Sequence, residues 1–542
     1  MKRNRSALAG AALLTAGVIA LAGCSSGDSG EGTGGDEGSG ASTGVVTVQN
    51  NEPQNPLIPA VTNEVGGGLV LQNIFAGLVY YEADGAMAMD VAESIESEDN
   101  QNWTITIKAD QTFSDGTPVT AASFVDAWQY AASDAEFENQ WWFGNFAGYN
   151  PEAAGEEGAL ALEVVDDTSF TVELAAPQSD FPITLGYQVF SPLPESFFDD
   201  PEAFGEAPIG NGPYKLDKWE HDQVISLVPN ETYDGPRQPQ NGGVDLVVYA
   251  TQEAAYSDLL GDNLDVINPN VPPSALATYK DDLGDRAVDQ GAAIWEGLTI
   301  PARLEHFGND EEGLLRRQAI SYAIDREQIT DVIFEGTRTP AVDYTSPVIE
   351  GWSDSIPGSE VTHADADKAK DLWAQADAIS PWSGTFTIAY NADGGHQPWV
   401  DAVANQLKNT LGIDAIGQSY PDLATLREEI SNRTLNAATR SGWQFDYPGA
   451  YNILGALFIT GAGSNDGDYS NPEYDTLVQQ GATAPSVEEG NALFEQAQEV
   501  LFQDLPVLPL WYRSTNAGYS TVVENVEYGW DSWPIIFEIT KE

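Results

Sequence analysis

The chain has 542 residues, with 22 basic against 84 acidic side chains, a formal net charge of −62, 42% hydrophobic residues and one cysteine. Such acidity repels a phosphate backbone and excludes nucleic acid as a partner, and a lone cysteine excludes an internal disulfide. The hydrophobic content suffices for more than one large core, so two or three domains are expected.

From the N-terminus, Lys2, Arg3 and Arg5 precede an apolar run over 7–22 that closes on Leu21-Ala22-Gly23-Cys24. The run is short and rich in small residues for a membrane span, and reads as a lipoprotein signal over 1–23 with Cys24 as the lipidation site. An ordinary secretory signal with an incidental cysteine is the other reading; both export the chain. Residues 24–44 are Gly, Ser, Thr, Asp and Glu with almost nothing to bury, a flexible tether. Two G-x-S-x-G matches, 23–27 and 40–44, fall in or beside this tether, without the strand and helix a nucleophile elbow needs.

Short strands rich in β-branched and aromatic residues are expected at 45–48, 103–107, 169–174, 224–228, 244–249 and 385–390. Helical periodicity appears at 121–132, 314–334, 365–376, 399–411, 423–430 and 488–501. The alternation predicts an α/β fold. Two apolar strands, 294–300 and 505–512, flank a long block, as two chain crossings into a discontinuous lobe would. The four histidines, His221, His306, His363 and His396, form no H-x-x-x-H pair, so neither a metal nor a cofactor is expected. Among so many carboxylates, a pair at glycosidase spacing arises by chance and carries no weight.

Within that block, Arg440-Ser441-Gly442-Trp443-Gln444-Phe445-Asp446-Tyr447-Pro448-Gly449 places a cation, an anion and three aromatics on one piece of backbone. Asp446 in a cleft beside Trp443, Phe445 and Tyr447 must meet a cation or several donors, and a ligand ammonium would serve. Arg440 could dock a carboxylate bidentately, so the segment can recognise both ends of a zwitterion. The plainer reading is a strand end and a turn, with Asp446 paired to a protein arginine.

The G-W-x-x-D-Y pattern from Gly442 to Tyr447 resembles the ligand-contact motif of the family 5 extracellular solute-binding proteins, the oligopeptide- and dipeptide-binding proteins of ABC importers. Four further stretches are similar to that family in the same order: WTITIKADQTFSDGTPVTAASFVDAW from Trp103, Asn211-Gly212-Pro213-Tyr214, LRRQAISYAIDREQ from Leu315, and Tyr469-Ser470-Asn471-Pro472-Glu473-Tyr474-Asp475. The resemblance implies a two-lobed periplasmic-binding-protein fold of the large class, with a cleft between lobes and an extra domain. Lobe one would take 45–87, 205–296 and 512–542, the extra domain 88–204, and lobe two 297–511. It implies a peptide ligand whose amine is held by Asp446 and whose carboxylate is held by Arg440 or by His396, which follows a strand and opens a helix. Asn73-Ile74-Phe75-Ala76-Gly77-Leu78 resembles the segment whose backbone pairs with the ligand, with Ala76 where several relatives carry glutamate; alternatively 69–78 is a plain core helix and turn. The aromatic cluster Trp141-Trp142-Phe143-Gly144-Asn145-Phe146 is expected at the cleft mouth, where it would also suit a sugar.

The expected function is therefore a non-enzymatic receptor, extracytoplasmic, anchored to the outer face of the cell membrane through Cys24, monomeric, and delivering peptides to an ABC permease. A same-fold receptor for oligosaccharides or another small solute, an extracellular hydrolase, and a sensor or adhesin lipoprotein are the alternatives.

Overall fold

Alternate burial makes Val45–Asn50 a strand whose Val46 and Val48 are wholly buried. The computed structural model describes residues 43–134, 137–150 and 160–542; the expected signal, Cys24 and the tether through residue 42 lie outside the described residues. Val45–Asn50 runs parallel to Gly243–Val248, and the sheet continues antiparallel through Val224–Pro229 to Tyr214–Glu220. The chain between these strands carries a separate antiparallel sheet in the order Ala92–Ser97, Asn102–Ile107, Ser169–Glu173, Leu162–Asp166. The helix Ala121–Ala132 covers it by setting Phe124 and Trp128 against Phe170, with ring centroids 6.0 and 5.5 Å apart. One continuous hydrophobic core joins both sheets, drawing residues from Val46 to Leu283 and again from Ala517 to Ile539.

A second core, from Ala293 to Tyr512 with Trp530 added, surrounds a six-stranded sheet. Its order is Arg338–Pro340, Val507–Gly518, Ala287–Thr299, Ala438–Gln444, Thr385–Asn391, Asp414–Tyr420. The two long strands Ala287–Thr299 and Val507–Gly518 pair antiparallel, with register shifts between Gly291 and Trp295 and between Glu296 and Gly297. Ala517 packs in the first core, whereas Trp295, Leu298, Leu508 and Trp511 pack in the second. These strands are thus the two crossings between the cores, and the bulges bend them at the passage.

The expected helix over 314–334 is two helices, Glu311–Ala323 and Arg326–Val332. Ile324 is extended and Asp325 accepts from the Gln328 N–H at 2.9 Å as a cap, which turns Arg326 into the interior. The expected strand over 505–512 begins later, because the helix Val487–Asp504 ends on Leu505 in the left-handed conformation. Residues 65–74 form a buried helix, Val65–Ile74, followed by extended Phe75. The aromatic cluster divides: Phe143 and Phe146 are core, and only Trp141 is half exposed, stacked on Trp142. Alternation on a single-turn helix, Gln140–Phe143, buries one side of what sequence pattern alone places at a surface.

Candidate functional site

Between the two cores lies a cavity of about 300 Å³. Asp446 reaches it because the strand Ala438–Gln444 is fixed by Ala287–Thr299, with Trp295 opposite Trp443 and Ile294 opposite Gln444. The Phe445 N–H extends that ladder by one bond to Ala293 O at 3.0 Å, after which the chain bends and presents Asp446. Asn452 positions the carboxylate: its Nδ2 donates to Asp446 Oδ2 at 3.2 Å, and its Oδ1 accepts from Trp443 Nε1 at 2.6 Å. Burial pushes the Asp446 carboxyl up to about 6, only partly offset by the Asn452 bond. Among the described residues no cation pairs with it. The opposing wall carries Phe75, Gly77, Tyr80, Tyr81 and Tyr187, and the C-terminal segment adds Trp530, Asp531, Trp533 and Phe537.

The strand Thr385–Asn391 pairs with Ala438–Gln444 only at Ala438 and Thr439. On that side no described strand pairs with residues 440–444, so Arg440 to Gln444 present an open edge beside the cavity, the arrangement that accepts an extended chain by strand addition. The opposite wall differs from expectation. Ala76 spends its N–H and C=O on the Asn211 side chain, at 3.0 and 2.9 Å, and Phe75 O accepts from Arg237 at 2.9 Å. Gly77 O accepts from the Val91 N–H. The backbone of Phe75 and Ala76 is therefore already bonded within the protein: Asn211 of the N-G-P-Y turn claims Ala76, while Arg237 takes the Phe75 C=O and Leu71 O takes its N–H.

The structure brings Phe75, Gly77, Phe445 and Asp446 to one cavity, the first two facing the last two, and sets Ala76, Arg440, Gly442, Trp443, Tyr447 and His396 outside its lining. Trp443 acts behind Asp446 through Asn452. Tyr447 points across to the first core, donating its hydroxyl to Asp180 Oδ2 at 3.2 Å. From Arg440 to Phe445 the extended backbone covers about 17 Å. There Arg440 Nε donates to Asn391 Oδ1 at 2.8 Å, and burial lowers its pKa. His396 stands just before the helix Gln397–Leu411; burial, with Arg440 beside it, lowers its pKa to about 4, so the imidazole is neutral at pH 7. Sequence reading missed the rest of this group. Glu296 accepts from Trp511 Nε1 at 2.6 Å and lies 3.4 Å from Arg338 Nε; burial opposes its ionisation, but Arg513 and Arg338 hold its pKa lowered. Glu296 and Trp511 come from strands read only as apolar, Arg513 lies just past one of them and Arg338 in a strand not expected, and their side chains meet through sheet order.

A family model described as bacterial extracellular solute-binding proteins, family 5 Middle, matches residues 86–465. The chain belongs to the family 5 bacterial extracellular solute-binding proteins. The oligopeptide-binding protein OppA of Bacillus subtilis is 25% identical over 495 residues, 88% of this chain and 89% of its own. The unliganded open form of the murein tripeptide-binding protein MppA matches with a TM-score of 0.78 at 22% identity, covering 92% of this chain and 97% of that one. Haemophilus influenzae OppA in complex with RPPGFSPFR matches at 0.73 and 21% identity, covering 92% and 99%. The two cores of this solute-binding protein are thus the lobes of a periplasmic-binding-protein fold, with the cavity between them. Among the described residues, no group of three His, Cys, Asp or Glu is placed to hold a metal ion, and no helix is long and apolar enough to cross a membrane.

Asn452, Asp531, Tyr81 and Tyr187 are among the wall and support residues that sequence reading of the solute-binding protein missed. Gly529-Trp530-Asp531 was the available signal: like Gly442-Trp443, it sets a glycine and a tryptophan just before an aspartate.

Proposed function

We propose that the protein captures peptides with a free amino terminus between its lobes and passes them, uncut, to an ABC permease. The observation that carries this reading is the buried carboxylate of Asp446 with no cation beside it among the described residues. A ligand ammonium supplies the missing charge, and the open edge at 440–444 supplies main-chain hydrogen bonds that tolerate any side chain. Arg440, with neutral His396 nearby, is the candidate for the ligand's carboxylate, at the far end of the same strand. The names of the Bacillus subtilis relative and the Haemophilus influenzae complex, both oligopeptide binders, agree with it. Mass spectrometry of ligand released from purified protein tests the reading: peptides with unblocked amino termini are expected, and added peptide should be recovered intact after prolonged incubation. A sugar or another non-peptide solute in near-stoichiometric amount overturns it.

The leader motif adds a lipid on Cys24 that holds the receptor at the outer face of the cell membrane as a monomer. Cys24→Ala should move the protein from the membrane to the soluble fraction with peptide affinity unchanged, since a polar tether transmits little strain to folded lobes. Unchanged membrane retention counts against lipidation.

A further inference from the structure

The cavity holds more negative charge than one ligand amine can answer. Glu64, Asp446 and Asp531 all line it, and Arg237 is the one cation on its described wall. Glu64 is committed as a helix cap, accepting the Gly67 N–H at 2.8 Å and the Gln54 N–H at 3.1 Å. Arg237 is likewise spent: its Nε donates to Asp90 at 2.8 Å, and its two remaining nitrogens donate to Gln72 O and Phe75 O at 2.8 and 2.9 Å. Asp446 and Asp531 remain.

Asp531 sits on the C-terminal segment, held in place by packing. Trp533 lies so close to the helix Val65–Ile74 that a Cβ at Gly68 would stand 2.8 Å from its ring, which accounts for glycine there. The Asp531 Oδ1 accepts the Trp533 N–H at 3.0 Å; among the described residues no cation pairs with the carboxylate. Burial and both aspartates, Asp446 first, push the Tyr81 hydroxyl well up, so Tyr81 stands within electrostatic reach of each. Asp446 stands just past the strand Ala438–Gln444 and Asp531 on the C-terminal segment, so the two carboxylates enter the cavity from different parts of the chain, and burial raises each to about 6. With no cation beside either among the described residues, each can take a cation from a ligand. Around them Tyr80, Tyr81, Tyr187, Trp533 and Phe537 give aromatic faces that suit an aliphatic stem ending in a cation.

We propose that Asp531 is a second cation-recognising carboxylate, which makes the site selective for peptides whose first residue is basic: the α-ammonium pairs with Asp446 and the lysine or arginine side chain with Asp531. The proposal rests on the peptide reading above. A free diamine offers the same two charges without the backbone, and the test separates the two sources.

Calorimetry on the full chain, stripped of ligand, compares pentapeptides that differ only in a first residue of lysine, norleucine or alanine, together with 1,5-diaminopentane. Wild type should bind the lysine peptide roughly 30-fold more tightly than the norleucine peptide, the size of one desolvated charge pair. Asp531→Asn should erase that preference, so that the lysine and norleucine peptides bind within about threefold of each other. Equal affinity for lysine and norleucine peptides in wild type overturns the proposal, and needs no variant to fold; so does a preference that survives in Asp531→Asn. A diamine that binds more tightly than the lysine peptide overturns the peptide as the source of the second charge. If the alanine peptide binds and N-acetylation abolishes that binding, the peptide reading stands whatever Asp531 does; if no pentapeptide binds, both fall.

Discussion

Asp446→Asn weakens binding of a free-amine peptide by roughly 30-fold to several thousandfold, and N-acetylation of the peptide costs wild type about the same. Both remove one member of a buried, hydrogen-bonded charge pair, worth about 2 to 5 kcal/mol. Measured together, the two losses should not add, because each deletes the same pair. Calorimetry or tryptophan fluorescence reads all four affinities; Trp443 and Trp530 lie close enough to report. Fully additive penalties, or an acetyl group that costs nothing, remove Asp446 as the amine anchor. Affinity should also depend on pH. With the free carboxyl at about 6, raised by burial, binding of an ammonium requires a deprotonation that becomes unfavourable below that value. Affinity for the alanine-first peptide should fall roughly tenfold per pH unit below 6, and again above about 8, where the peptide amine loses its own proton. In the unliganded protein the sign for stability is opposite. The folded state holds this proton more tightly than the unfolded chain, so the contribution is present below about pH 4 and lost as pH rises through 6.

Arg326→Met should destabilise the second lobe by about 3 to 5 kcal/mol, the cost of leaving several buried acceptors without their donor. Arg326 is 2% exposed and donates to Pro509 O at 2.8 Å, Ser321 O at 3.0 Å, Thr362 O at 2.7 Å and Ser321 Oγ at 2.9 Å. Among the described residues it has no carboxylate partner, and burial lowers its pKa to about 9. Methionine fills the volume and relieves the buried charge, but leaves these carbonyls without donors, at roughly 1 to 3 kcal/mol each. Calorimetric melting should show the transition of that lobe lowered by roughly ten degrees. Arg326→Lys should recover less than half of the loss, because an ammonium cannot reach the same fork of acceptors. A shift below about two degrees for Arg326→Met would show that these carbonyls find other donors.

The A-I-D-R stretch also shows where sequence reading stops. Its periodicity predicts one helix, and the chain makes two, because Asp325 is a better cap than helix interior and Arg326 has acceptors waiting on Pro509 and Thr362 from distant segments. Periodicity records which residues are buried locally; it carries nothing about partners elsewhere in the chain. The same holds at the site. Asp446 was legible because G-W-x-x-D-Y puts its charge among aromatics on one short strand, and the α/β alternation was legible because strand and helix periods differ. Asn452, which links Asp446 to Trp443, looks like an ordinary polar residue opening a helix, and Asp531 lies far along the chain from the residues it faces. The family likeness offers the Ala76 backbone to a ligand, whereas its N–H and C=O are bonded to Asn211, 135 residues away. Composition and local spacing determine fold class and single out the one aspartate whose neighbours are its chain neighbours. The rest of the cavity, its second carboxylate included, exists only where the two cores and the C-terminal segment meet, since burial and charge pairing are properties of that assembly.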